Sequence, residues 1–471
     1  MSGTVSWQRE ARIHTGTYPA VATLQVGVGR DEIVALKESC RTTQILGETG
    51  HRVYSPSQEA QEKSQTTLCP LVKTIREDIM LRRTAVAAVL GLGLAWSAGA
   101  MAQETLKIGV ILPYSGPFAD AANQLQAGID LYLAEHGNEV AGRTIELIKR
   151  DTGGPAPDVA RRLAQELVVR DNVDIIAGFA LTPEALGAAE IATEAKKLMV
   201  VMNAATSVVT EQSPYIVRTG VTIPQLNYSF GSWAYEQGIR EAYTLVADYG
   251  PGIDAEASFA KGFTEAGGKI VGADRTPVAN PDFSAYVQRV ADAAPEAVYI
   301  FVPGGAQPAA IGKALADRGL SPPDIKVLAQ GELTHPEALE SMGETARGII
   351  TTFHYTLERD DAMNQAYVEA YTAANNGREP DLFSIGGYDG MHLIFEALQA
   401  TEGDSSGDAL IEAAKGMAWD SPRGPMSIDP ETRDVVQTVY IREVQEVDGK
   451  MRNVILEEIP DVKDPLHGAA K

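Results

Sequence analysis

From residue 106 onward, the apolar and polar positions follow two alternating rhythms. Short, nearly continuous apolar runs at 106–112, 145–149, 174–177 and 198–202 read as buried strands. Between them, apolar residues at helical spacing predict helices over 121–136, 158–170 and 183–197. The pattern then restarts. Strands are predicted at 242–247, 269–272, 297–302 and 326–329, with helices over 255–266, 283–293 and 308–318. Two amphipathic helices, 361–376 and 388–401, and a late strand at 435–444 complete the chain. An order of strand, helix, strand, helix implies a parallel sheet wrapped by helices through right-handed crossovers. The chain therefore reads as two α/β units and a C-terminal segment too short to be a domain, whose helices must return to the first unit to cover its sheet.

A different pattern precedes these elements. Met80-Leu-Arg-Arg83 is a short cationic start, followed by an apolar run over 85–96 and small residues at Ala100 and Ala102. These are the three parts of a secretory signal peptide, and the apolar core is short for a bilayer span. The alternative is a buried core helix. Because a signal peptide must begin the chain to be read, residues 1–79 are expected to be a mis-assigned, disordered upstream extension. The mature chain is then 103–471, exported through the signal starting at Met80. Position 103 is Gln, not the Cys of a lipoprotein.

The composition changes this picture little. With 44% hydrophobic and 22% charged residues, the chain is ordinary for a globular protein, which excludes collagen-like and wholly disordered classes. The net charge of −23 argues against nucleic-acid or anionic-membrane binding. The first 79 residues hold nine basic and nine acidic side chains, so the acidic excess lies beyond them. Cys40 and Cys69 also lie there, so no disulfide, thiol nucleophile or Cys-based metal site is available in the mature chain.

In an open parallel sheet, ligands bind beyond the carboxyl ends of the strands. Two consecutive turns qualify: Gly178–Thr182 before Pro183, and Asn203–Ser207. Pro183 suits the first helical position with Thr182 as its cap, and the free N–H groups of such a turn suit a carboxylate. Thr182 and Thr206 add hydroxyls, although simple helix capping explains the same residues. The seven histidines show no metal-like spacing, and neither a phosphate-binding loop nor a G-x-S-x-G elbow occurs. No catalytic residue, metal or cofactor is expected.

The opening Lys107-Ile-Gly-Val-Ile-Leu-Pro-Tyr-Ser-Gly-Pro117, the turn at 178–183, Asn203–Thr206, Arg218-Thr-Gly220, Gly304-Gly305 and Gly331-Glu332 together resemble the leucine/isoleucine/valine-binding family. These are the type I periplasmic substrate-binding proteins of ABC transporters, and the similarity runs over essentially all of 104–445. The resemblance implies two doubly wound, three-layer α/β lobes joined by a three-segment hinge. The first lobe would comprise 103–222 plus 353–438, the second 223–352 plus 439–459, with 460–471 as a tail. It also implies roles. Thr182 falls where a hydroxyl binds an amino-acid carboxylate, and Ala204 and Thr206 where a main-chain carbonyl and a hydroxyl touch the ligand. Tyr114 falls where an aromatic covers the ligand side chain, Glu332 where an acid pairs with its ammonium, and Tyr388 near the cleft.

Some positions depart from the family pattern. The second-lobe turn reads Asp248-Tyr-Gly-Pro-Gly-Ile-Asp254, which displaces the aromatic to Tyr249, and Ala306 stands where relatives have Tyr. Those changes remove contacts of a strict leucine binder and admit an aromatic or other small organic acid. Ordinary packing explains Tyr249 and Tyr388 equally well. The expected function is a monomeric solute-binding component of an ABC importer, delivering a small amino acid or organic acid to the permease membrane subunits. An exported sensor of the same fold and a secreted enzyme are the alternatives. A fused signalling segment would favour the sensor, and a catalytic constellation the enzyme.

Overall fold

The computed structural model describes residues 104–279 and 281–468. The expected upstream extension and signal peptide lie outside the described residues. Two sheets organise the chain. The first follows from the strands β1 (Thr105–Leu112), β2 (Glu139–Val140), β3 (Arg143–Asp151), β4 (Ile175–Gly178), β5 (Met199–Val201) and β6 (Ile216–Arg218). Their order is β2-β3-β1-β4-β5-β6, parallel except for the short β2–β3 pair. The helices α1 (Ala119–His136), α2 (Pro157–Val169) and α3 (Thr182–Ala195) connect these strands.

Strand alternation in β1 explains why both faces are covered. Leu106, Ile108, Val110 and Leu112 point into one core with Leu125 and Ile129 of α1, whereas Ile111 points into another with Leu163, Leu167 and Ala188 of α2 and α3. At Gly109, on that second face, an added Cβ would sit 2.6 Å from Leu167 Cδ1, so helix and sheet touch through a residue without a side chain.

The second sheet begins after α4 (Ile223–Glu236) with β7 (Glu241–Ala247), α5 (Gly250–Ala266), β8 (Lys269–Thr276), α6 (Ser284–Ala293), β9 (Ala297–Phe301), α7 (Gln307–Ala316), β10 (Lys326–Gln330), α8 (Pro336–Met342) and β11 (Ile350–Phe353). The strands run parallel in the order β8-β7-β9-β10-β11. Alternation again divides two cores. Ala297, Tyr299 and Phe301 of β9 meet Phe230 and Phe259 of α4 and α5, while Val298 and Ile300 meet Val287 and Ile311 of α6 and α7.

The chain closes with α9 (Ala362–Ala374), α10 (Leu382–Ala400), α11 (Gly407–Ala414), the hairpin β12 (Ala418–Ser421) and β13 (Gly424–Ile428), and the strands β14 (Val435–Val447) and β15 (Lys450–Val462). β14 pairs antiparallel with β11, β13 and β15. α10 packs on α1 in the core of the first sheet. Their axes approach through glycine, because a Cβ at Gly128 would lie 1.9 Å from Ser384 O, and one at Gly387 2.0 Å from Leu125 O.

Buried polar groups tie the crossings between the lobes. Arg218, fully buried, donates through Nε to Asp434 Oδ1 at 2.7 Å and through Nη1 to the carbonyls of Ala204 and Thr206 at 3.0 and 2.7 Å. Arg423 Nε lies 2.8 Å from Asp389 Oδ2, and its Nη1 donates to Gly220 O at 2.9 Å. Gln225 Nε2 donates to Val435 O at 2.9 Å.

Most predicted elements appear within a few residues of their expected ends. Three corrections stand out. The helix expected at 388–401 begins six residues earlier, at Leu382, because Asp381 caps it through the N–H groups of Phe383 and Ser384 at 2.9 and 3.1 Å. The 450–462 stretch is a long strand that periodicity did not reveal, since its exposed positions break the alternation. Thr182 is the first residue of α3, not its cap. Leu181 occupies the cap position, and its N–H is satisfied by Glu184 Oε2 at 3.0 Å.

Candidate ligand-binding site

The carboxyl ends of the parallel strands in both sheets face a common cleft, as the topology requires. From the first lobe come the start of α1 (Pro117, Phe118, Asp120, Ala121, Gln124), the β4–α3 turn (Ala180, Leu181, Thr182) and the loop after β5 (Asn203, Ala205). From the second come Tyr249 and Pro251 after β7, Pro303–Gly305 after β9, and Glu332 and His335 after β10. Ile223 and the start of α10 (Asp381, Leu382, Phe383) complete the wall. The cavity volume is about 50 Å3. A larger cavity of about 650 Å3 adjoins it, and Gln124, His335 and Asp381 line both.

The turn into α3 is built to present a donor. Gly178 and Phe179 adopt φ of +109° and +64°, which swings the chain off β4; a Cβ at Gly178 would meet Ile111 O at 2.6 Å. Asn203 Nδ2 donates to Ala180 O at 2.8 Å and holds the two turns together. Thr182 Oγ1 lies 2.9 Å from Thr206 Oγ1 and accepts from the Thr206 N–H at 3.4 Å. Either hydroxyl can be the donor in the first contact; when Thr206 donates, the Thr182 hydroxyl proton is left for an anion at the start of the helix.

The opposite side carries carboxyls that burial makes harder to ionise. Glu332 Oε2 accepts from the Gly304 N–H at 2.6 Å, yet burial pushes its carboxyl up to about 7. Asp381 is also pushed up to about 7 by burial, against the N–H bonds that cap α10. Burial drives His335 down to about 4, so its ring is neutral. Tyr249 is enclosed, its phenol held well above the usual range by burial and then by Glu332, and it packs on Phe301 with ring centroids 6.2 Å apart. Phe118, Tyr249 and Phe383, with Pro117, Pro251 and Pro303, form flat apolar walls between the two polar ends.

Of the residues singled out from sequence, Thr182, Tyr249 and Glu332 line the cavity, and Thr206 stands behind Thr182. Ala204 does not line it: it is 1% exposed, and its carbonyl is engaged by Arg218. Tyr114 points away, donating to Gln126 Oε1 at 2.6 Å. Tyr388 joins an aromatic cluster, with Tyr132 and Tyr367 each at 5.1 Å, and donates to Glu135 at 2.8 Å. Ordinary packing accounts for both tyrosines. Phe118, Gln124, His335, Asp381 and Phe383 were not singled out. Phe118 and His335 sit in loops that follow strands, which is a readable signal. Gln124 is one polar residue on an apolar helix face, and nothing local marks it.

Comparison with known proteins bears on this site. Residues 105–450 match the family described as periplasmic binding protein. The Leu/Ile/Val-binding protein homolog 6 of Brucella melitensis is 42% identical over 387 residues, which is 82% of this chain and 99% of that protein. A solute-binding protein of an ABC transporter from Rhodopseudomonas palustris BisB5, solved in complex with 3,4-dihydroxy benzoic acid, is 48% identical. It superposes with a TM-score of 0.74 over 77% of this chain and 99% of that one. A solute-binding protein from Rhodopseudomonas palustris HaA2, in complex with p-hydroxybenzoic acid, is 42% identical with the same TM-score and the same coverage.

Proposed function

We propose, from the premise that this chain belongs to the periplasmic binding protein family, that it is the solute-binding component of an ABC importer for a small aromatic carboxylic acid. One observation carries the ligand class. The cavity sets a helix start and the Thr182 hydroxyl against Glu332, whose carboxyl is only partly ionised near neutral pH, with aromatic and proline faces between them. A planar ring fits between such walls, and its carboxylate suits the start of α3. Among the described residues no Lys or Arg lines the cavity, so the anion is held by dipoles and a hydroxyl, not by an opposite charge. The complexes of the two Rhodopseudomonas proteins with hydroxybenzoates support this class.

Binding closes the lobes around the acid, and the closed form is what the permease membrane subunits recognise. The protein acts as a monomer in the periplasm, after export through the segment at 80–102. Glu332 favours a second reading, since an ionised carboxyl there would pair with the ammonium of a branched-chain or other hydrophobic amino acid. Calorimetric titration of residues 103–471 decides between the two. Micromolar or tighter binding of benzoate-type acids with no heat from leucine, isoleucine or valine supports the aromatic acid. The reverse result overturns it.

A further inference from the structure

Gln124, which is buried, and His335, which is half-buried, are two polar side chains on the cavity wall that the binding scheme above leaves without a task. Gln124 lies on α1 in the first lobe and is 4% exposed. Its Nε2 donates to Asp120 Oδ2 at 3.2 Å. That orientation is forced. Asp120 is a carboxylate already holding Arg378 through both oxygens at 2.7 and 2.6 Å, so it takes only a donor from Gln124. The amide oxygen therefore turns the other way, where it is buried and has no partner. His335 follows β10 in the second lobe, and its Nε2 is likewise buried without a partner. Both residues line the small cavity and mark its boundary with the larger one.

A buried acceptor without a donor is costly, and so is an unpaired imidazole nitrogen. Gln124 Oε1 demands a donor and repels a carboxylate. The nitrogen of a neutral imidazole either donates or accepts. With the His335 proton on Nε2, a hydroxyl satisfies both at once, giving its proton to Gln124 and taking one from His335. An aliphatic side chain satisfies neither. Resting on the aromatic-acid reading above, we propose that Gln124 and His335 form a subsite that reads a phenolic hydroxyl on the ring. Because each lobe contributes one residue, the subsite is complete only when the lobes are together. Preference for hydroxylated acids is thus coupled to closure. A site built to bond a hydroxyl rejects the analogue that lacks it, since both polar groups then stay buried and empty.

The test is a titration of benzoate, 4-hydroxybenzoate, 3,4-dihydroxybenzoate and 4-methoxybenzoate into wild type, Gln124→Met and His335→Phe. At least one hydroxylated acid is expected to bind wild type about tenfold or more tightly than benzoate. The methoxy compound keeps the oxygen but cannot donate, so it is expected to show no such gain. In each variant the ratio of hydroxybenzoate to benzoate affinity is expected to fall toward one. Equal binding of benzoate and its hydroxylated forms by wild type overturns the subsite and leaves the aromatic-acid reading standing. So does a methoxy compound that binds as tightly as the hydroxyl, or a ratio that survives in both variants. The methoxy comparison needs no variant, so a substitution that prevents folding does not remove the test. Failure of every benzoate to bind overturns the aromatic-acid reading itself.

Discussion

Glu332→Gln separates the cost of the buried carboxyl from its use. In the wild type the Glu332 carboxyl is raised from 4.5 to about 7, chiefly by burial. Between these values the folded protein retains a proton that the unfolded chain has released, so stability falls as pH rises through this window. At about 1.4 kcal/mol per pH unit, the full penalty is about 3 kcal/mol, complete above pH 7 and absent below 4.5. Gln keeps the oxygen that accepts from Gly304 and loses only the charge. Glu184, pushed up to about 7, and Asp254, up to about 6, are pushed up by burial as well, but they titrate in both proteins and cancel in the comparison. Urea unfolding of ligand-free protein, followed by tryptophan fluorescence, is therefore expected to show similar stability at pH 4.5. At pH 8 the variant is expected to gain up to about 3 kcal/mol over wild type. An equal difference at both pH values, or a wild type that is the more stable at pH 8, refutes the reasoning. Binding to the same variant reports the ligand. Loss of an ammonium partner costs about 2–5 kcal/mol, whereas an aromatic acid loses at most one neutral hydrogen bond, about 1 kcal/mol.

Three further outcomes follow from the geometry. Thr182→Val removes the hydroxyl at the start of α3 and is expected to weaken carboxylate binding by about 1 kcal/mol, roughly fivefold, in calorimetry; unchanged affinity reduces Thr182 to a packing residue. Asp434→Asn leaves Arg218 buried without its charge partner, the pair being 2% and 0% exposed, and is expected to cost about 3–5 kcal/mol in urea unfolding. Because Arg218 also holds the carbonyls of Ala204 and Thr206, ligand affinity falls with it. Gly387→Ala forces a methyl to within 2.0 Å of Leu125 O; the expected cost is about 1–3 kcal/mol of stability, with weaker binding as α10 shifts Asp381 and Phe383. Wild-type affinity in that variant excludes α10 as the element that positions this wall.

The local pattern of the chain was enough to mark many of its strands and helices, though not α4, β11, α11 or β15, because each marked element shows its side-chain period and turn residues within a few positions. Thr182 was legible for the same reason, since it follows a strand and in parallel sheets the residues after strands share one edge; Tyr249 and Glu332, which also follow strands, were marked by the family resemblance. Tyr114 and Tyr388 stand near the same edges, yet they turn into the core beside Gln126 and Tyr132. Which way an aromatic ring points depends on the neighbours that the sheet order brings to it, and those neighbours are distant in sequence. Gln124, His335 and Asp381 meet only because α1, the loop after β10 and the cap of α10 converge, and that convergence rests on the glycine contact of α1 with α10. Similarly, Arg218 and Asp434 lie 216 positions apart, and nothing in the local sequence pairs them. Local periodicity thus decided which elements form, and burial of their faces against one another decided which polar groups share the cavity.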